Sequence, residues 1–65
     1  MAKLIAFAGL NDEKVWINPG SVAMIEQDKD KVVVYFERAD MPHVFLKGEA
    51  DEVVNKLNQN MGWWW

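Results

Sequence analysis

Val32-Val33-Val34-Tyr35-Phe36 is β-branched or aromatic at every position, and no other stretch of the chain restricts the fold as strongly. Such residues fit a pleated strand better than a helix, where their side-chain rotamers are crowded by the preceding turn. Alternation puts Val32, Val34 and Phe36 on one face and Val33 and Tyr35 on the other. Residues 32–38 are therefore expected to form a central strand covered on both sides. One cover is a helix. The other is either the curl of the sheet or a second copy of the chain.

The remaining segments fall in place around that strand. Residues 3–9 are mainly apolar and end at Leu10-Asn11-Asp12, which predicts a strand and a turn. Residues 13–18 alternate, with Val15 and Ile17 on one side and Lys14 and Trp16 on the other, completing a hairpin. Asn18-Pro19-Gly20-Ser21 breaks the ladder, since proline donates no hydrogen bond and glycine tolerates positive φ. Residues 22–27 read as a short strand, or as one helical turn leading into a strand. Asp28-Lys29-Asp30-Lys31 is a charged hairpin loop, Ala39-Asp40-Met41-Pro42 is the next turn, and residues 43–47 form the closing strand. Ala50, Val53, Val54 and Leu57 then recur at helical spacing, with Glu49, Asp51 and Glu52 in the first turn, where acids complement the helix dipole. Gly48 can start this helix, without the better Ser or Asp cap. The expected fold is α+β: a small curled antiparallel β-sheet of four to five strands followed by one C-terminal amphipathic α-helix. It occupies residues 1–60 as a single domain, with a tryptophan-rich tail at 61–65.

The order Ile17-Asn18-Pro19, Val22-x-x-Ile25-Glu26, a charged hairpin, Val32-Val33-Val34-Tyr35-Phe36 and Glu52-Val53-Val54-x-Lys56-Leu57 resembles the FlbD/SwrD-type small proteins of bacteria and phages. The likeness runs from about residue 13 to residue 57. It departs from that pattern at Arg38-Ala39-Asp40-Met41-Pro42, where the family has a tight glycine turn, and at Gly48-Glu49, where the family usually has Glu-Ser. The resemblance implies a β-rich fold with a terminal helix and a non-enzymatic accessory or regulatory role. It carries over no catalytic or binding residue.

Length and composition narrow the function. A domain of 65 residues buries only about 60% of the surface its unfolded chain exposes, so it generally needs disulfides, a metal or association. The chain has no cysteine and one histidine, which excludes disulfides and argues against a structural zinc site. Association remains, and a homo-oligomer is expected. Ten acids against seven bases leave a net charge of −3, poorly suited to a phosphate backbone, so nucleic acid is not an expected partner. The N-terminal apolar run is too short to span a membrane or to act as a secretory signal, and the expected location is cytoplasmic.

Catalytic chemistry has little to work with. Ser21 is the one serine, His43 the one histidine, and there is no threonine, so a nucleophile–base pair has no support. The carboxylates Asp12 and Glu13, and Asp28 and Asp30, fall in solvated turns. Neither a phosphate-binding glycine loop nor a cofactor site is present in the sequence pattern. The chain ends Met61-Gly62-Trp63-Trp64-Trp65, and each indole offers roughly 150–250 Å² of buryable surface. The tail completes the core, docks into a neighbouring copy, or meets a partner. Trp16, Tyr35, His43, Trp63, Trp64 and Trp65 are the expected contacts of a non-catalytic protein that binds another macromolecule. A different reading is a protein that sequesters a nucleotide-like small molecule between subunits, in a pocket lined by indoles with Arg38 or Lys47 nearby.

Overall fold

The computed structural model describes residues 3–59, so Trp63, Trp64 and Trp65 and the expectations attached to them lie outside the described residues. Five strands precede one helix: β1 (Ile5–Ala8), β2 (Lys14–Ile17), β3 (Val22–Asp28), β4 (Lys31–Phe36), β5 (Val44–Lys47) and α1 (Ala50–Gln59). The α+β architecture stands. The strands do not form one continuous sheet, however. β1 and β2 make one antiparallel pair, β3, β4 and β5 make a second antiparallel sheet in that order, and a lone bridge between Gly9 and Leu46 joins the two.

The first hairpin follows from its alternation. Ile5 faces Ile17 and Phe7 faces Val15 on the inner side, while Ala6 faces Trp16 and Ala8 faces Lys14 outside. The turn is closed by the Gly9 N–H donating to the Glu13 carbonyl at 2.8 Å and the Asp12 N–H donating to the Gly9 carbonyl at 3.0 Å. A Cβ at Gly9 would run into the Glu13 carboxyl, the end of an exposed side chain that would have to swing aside.

Between the sheets, Pro19–Ser21 forms a single 3-10 turn. The Asn18 side chain accepts from the Gly20 N–H at 3.0 Å, and Pro19 occupies a first-turn position where no N–H is needed. Of the two alternatives for residues 22–27 the strand is the one formed, since β3 runs Val22–Asp28 and the turn lies before it, at the expected break in the ladder. The next hairpin is tighter than its charge run suggests. Asp28 pairs with Lys31, leaving only Lys29 and Asp30 in the loop, with Lys29 at φ 59°.

The core is a single cluster of Ile5, Phe7, Ile17, Val32, Val34, Leu46, Val53 and Leu57, with Ile25, Phe36 and Val44 packed at its margin. The valine-rich strand has its predicted two faces. Val32 and Val34 are fully buried in the cluster. Val33 points the other way and is still only 3% exposed. It lies between Glu26 on β3 and Phe45 on β5, with Lys31 and Tyr35 two residues away on its own strand, and these side chains supply its cover.

The start of α1 is completed from elsewhere in the chain. The Gln27 side-chain oxygen accepts from the Ala50 N–H at 2.6 Å, and its amide donates to the carbonyls of Lys29 and Lys31 at 3.0 and 3.1 Å and of Gly48 at 3.5 Å. Gly48 itself has φ 102°, a conformation that side-chain-bearing residues rarely adopt. Near the other end, Lys56 donates to the Ala6 carbonyl at 2.6 Å and lies 4.9 Å from the Phe7 ring centre, tying the helix to β1.

Candidate binding face

The outer face of the β3–β4–β5 sheet carries the most distinctive surface among the described residues. Alternation brings Met24 and Glu26 of β3, Val33 and Tyr35 of β4, and Phe45 of β5 to that side, with His43 just ahead of β5. Three rings follow one another across it. The Tyr35 and His43 ring centres are 5.3 Å apart at a 36° tilt, and His43 meets Phe45 at 5.3 Å nearly edge-on, at 89°. Both spacings fall in the range preferred by attractive aromatic pairs. Phe45 is 39% and Met24 51% exposed, so the row is apolar yet open to a partner.

Charged groups border the rings. Lys31 places its ammonium 4.9 Å from the Phe45 ring centre, over a face that attracts cations. On the β3 side, the Tyr35 hydroxyl donates to Glu26 Oε1 at 2.9 Å. That hydrogen bond to the carboxylate raises the Tyr35 pKa above its ordinary 10.0, reinforced by partial desolvation and by the negative charges of Glu26 and Asp28.

Of the expected residues that are described, the structure brings Tyr35 and His43 together, keeps Lys47 on the same face of the sheet, and sets Arg38 and Trp16 apart. Arg38 lies in the β4–β5 connection, where its guanidinium grips Asp40 through two bonds of 3.2 and 2.9 Å. Lys47 is directly opposite Lys31 in the ladder and pairs with Asp12 of the first turn. Trp16 belongs to the other sheet. It is 57% exposed on the outer side of β2, with Lys14 5.6 Å from its ring centre. Phe45 and Met24 were not expected from the sequence. Phe45 could have been found, because His43, Phe45 and Lys47 share one face at period two.

Other chemistry is sparse. Ser21 sits in the 3-10 turn and His43 ahead of β5, with no hydrogen bond between them among the described residues. The described residues contain no group of three or more His, Cys, Asp or Glu arranged to hold a metal ion. No helix among them is long and apolar enough to cross a membrane. An open groove of about 220 Å³ lies between Ala6–Ala8, Asp12–Lys14 and Lys56, smaller than the roughly 300–1,000 Å³ typical of small-molecule sites. Comparison with protein-family models, curated proteins and solved structures returns no match to this chain.

Proposed function

We propose that this chain is a small non-enzymatic binding protein, accessory or regulatory in role, that engages another macromolecule through the outer face of its three-stranded sheet. The observation that carries this reading is the row of half-buried Tyr35 and exposed His43 and Phe45 beside exposed Met24. Large aromatic side chains offer much contact area at low entropic cost, and they are enriched where partners meet. Cytoplasmic action in a bacterium or its phage, as a homo-oligomer of an otherwise marginal domain, fits the length, the absence of cysteine and the likeness to FlbD/SwrD-type proteins.

A photo-crosslinking residue at Phe45 tests it. The expected outcome is one defined adduct in cells from position 45 and none from Asn55, on the exposed side of α1. Equal yields from the two positions, or none from either, would overturn the assignment of the face. Light scattering of the purified chain tests the oligomer separately, with a mass above the 7.5 kDa monomer expected.

The same rings, with Lys31 beside Phe45 and Lys47 opposite Lys31, support a second reading in which a planar anionic small molecule stacks on the face. A rise of several degrees in melting temperature on adding nucleotides, lost in Phe45→Ala, would favour that reading over the first.

A further inference from the structure

Granting the macromolecular partner proposed above, we propose that it delivers an extended segment that adds to the free edge of β3, and that this segment carries basic side chains at two alternate positions. Among the described residues β3 is the longest strand, seven residues, and pairs with β4 alone. Antiparallel pairing uses alternate residues for each side of a strand, so half of its N–H and C=O groups face away from β4. Outside the β3–β4 ladder, the Val22 N–H at the very start of β3 donates to the Pro19 carbonyl, and among the described residues no further backbone hydrogen bond of this kind reaches residues 24–28. Ala23, Met24, Glu26 and Gln27 are all exposed along it. Such an edge is a template for another strand.

Register decides what kind of strand fits. A bulge between Val22 and Met24 interrupts the ladder, leaving residues 24–28 as the regular stretch. On it, Met24, Glu26 and Asp28 point to the aromatic face, and Ile25 and Gln27 point to the other. A second copy is opposed here. A two-fold axis through Glu26 sets Glu26 against its own counterpart, and one through Gln27 sets Glu26 against Asp28 twice. Like charges directly opposite each other destabilise a pair of strands. An axis through Ile25 runs into the bulge after three pairs.

A foreign strand with cations at those places meets the opposite situation. Read from its N-terminus in antiparallel pairing, it is basic opposite Asp28, free opposite Gln27, basic opposite Glu26, free opposite Ile25 and apolar opposite Met24. Glu26 gives one oxygen to Tyr35 and keeps the other. Among the described residues Asp28 is held by a 3.9 Å pair with the partly exposed Lys31, a kind of contact worth little and readily exchanged.

The test uses the full chain and two end-blocked peptides, Lys-Val-Arg-Val-Leu and its acidic counterpart Glu-Val-Glu-Val-Leu, followed by amide chemical shifts and fluorescence anisotropy. The basic peptide is expected to shift the amides of residues 24–28 and to lose affinity as salt rises. Reversal at Glu26→Lys with Asp28→Lys should weaken it by about tenfold or more and transfer binding to the acidic peptide. Asp28→Lys alone, which leaves the Tyr35–Glu26 bond in place, should give the same direction at smaller size. A basic peptide that leaves residues 24–28 unshifted, or affinity indifferent to both reversals, overturns the strand-addition proposal. In that case an adduct at Phe45 that persists in the reversed chain leaves the aromatic face standing, whereas loss of that adduct from the unaltered chain removes the face itself.

Discussion

Gln27 and Ala50 are 23 residues apart in the chain, yet the Gln27 side chain does for Ala50 what an N-cap residue does for its own helix. Helix starts leave backbone N–H groups without partners, and a capping side chain is worth about 1 kcal/mol. Because the Gln27 amide also braces the β3–β4 loop and the Gly48 carbonyl, its removal costs both elements at once. Gln27→Ala is expected to destabilise the chain by roughly 1–2 kcal/mol. For a domain this size that lowers the melting temperature by about 4–8 °C per kcal/mol, read by circular dichroism. An unchanged transition would mean that the bond contributes nothing.

Gly48 leads into the same helix at φ 102°. Gly48→Ala meets no crowding, since the nearest neighbour of the added carbon is the Glu52 carboxyl at 3.6 Å. Any loss therefore reports backbone strain. We expect about 1–2 kcal/mol by urea denaturation, with an unchanged m-value.

Neighbouring residues of β5 should behave oppositely. Leu46 is fully buried in the core, and Leu46→Ala should cost about 2–5 kcal/mol, a large part of the total stability of a small domain. Phe45 is substantially exposed, and Phe45→Ala should cost less than half as much while removing the middle of the binding face. Comparable urea midpoints for the two variants would contradict the assignment of inner and outer faces.

The Tyr35–Glu26 bond predicts a pH effect. The pKa of Tyr35 is raised in the folded chain, so the fold holds the phenolic proton more tightly than the unfolded chain does. Its contribution is fully present below the unfolded value of 10.0 and is lost as pH climbs through the higher folded value. Phenolate absorbance should therefore rise at a pH above 10.0 in the native chain, and Glu26→Gln should move that midpoint down. A midpoint that does not respond to the substitution would place the cause elsewhere.

What the sequence could show and what it could not divide along physical lines. Alternation placed Val15 and Ile17 inward and Trp16 outward, and helical spacing placed Val53 and Leu57 against the core, because each pattern is local and repeats. The Gln27 cap joins distant segments and leaves no periodic trace. The bulge at residues 22–24 exists only relative to β4, so no inspection of β3 alone reveals it. The division into two sheets has the same origin, since the first hairpin joins β5 by the isolated bridge of Gly9 with Leu46 and not by a continuous ladder. Of the candidate face, Tyr35 was legible as a contact residue because alternation sets it on the side of β4 opposite Val32, Val34 and Phe36, although that side was expected to be covered and Tyr35 is half-buried. Its contact with His43 was not, because a ring pair across strands requires the register.

The borrowed cap also constrains the order of events during folding. A ten-residue helix is too short to persist alone in water, and this one receives its starting bond only after residues 27 and 31 have come together in their hairpin. The hairpin closes over a two-residue loop, and its ladder hydrogen bonds are local in sequence. Nucleation is therefore expected in β3 and β4, with the helix condensing late, and φ-values near zero for Val53→Ala beside higher ones in the hairpin would check that order.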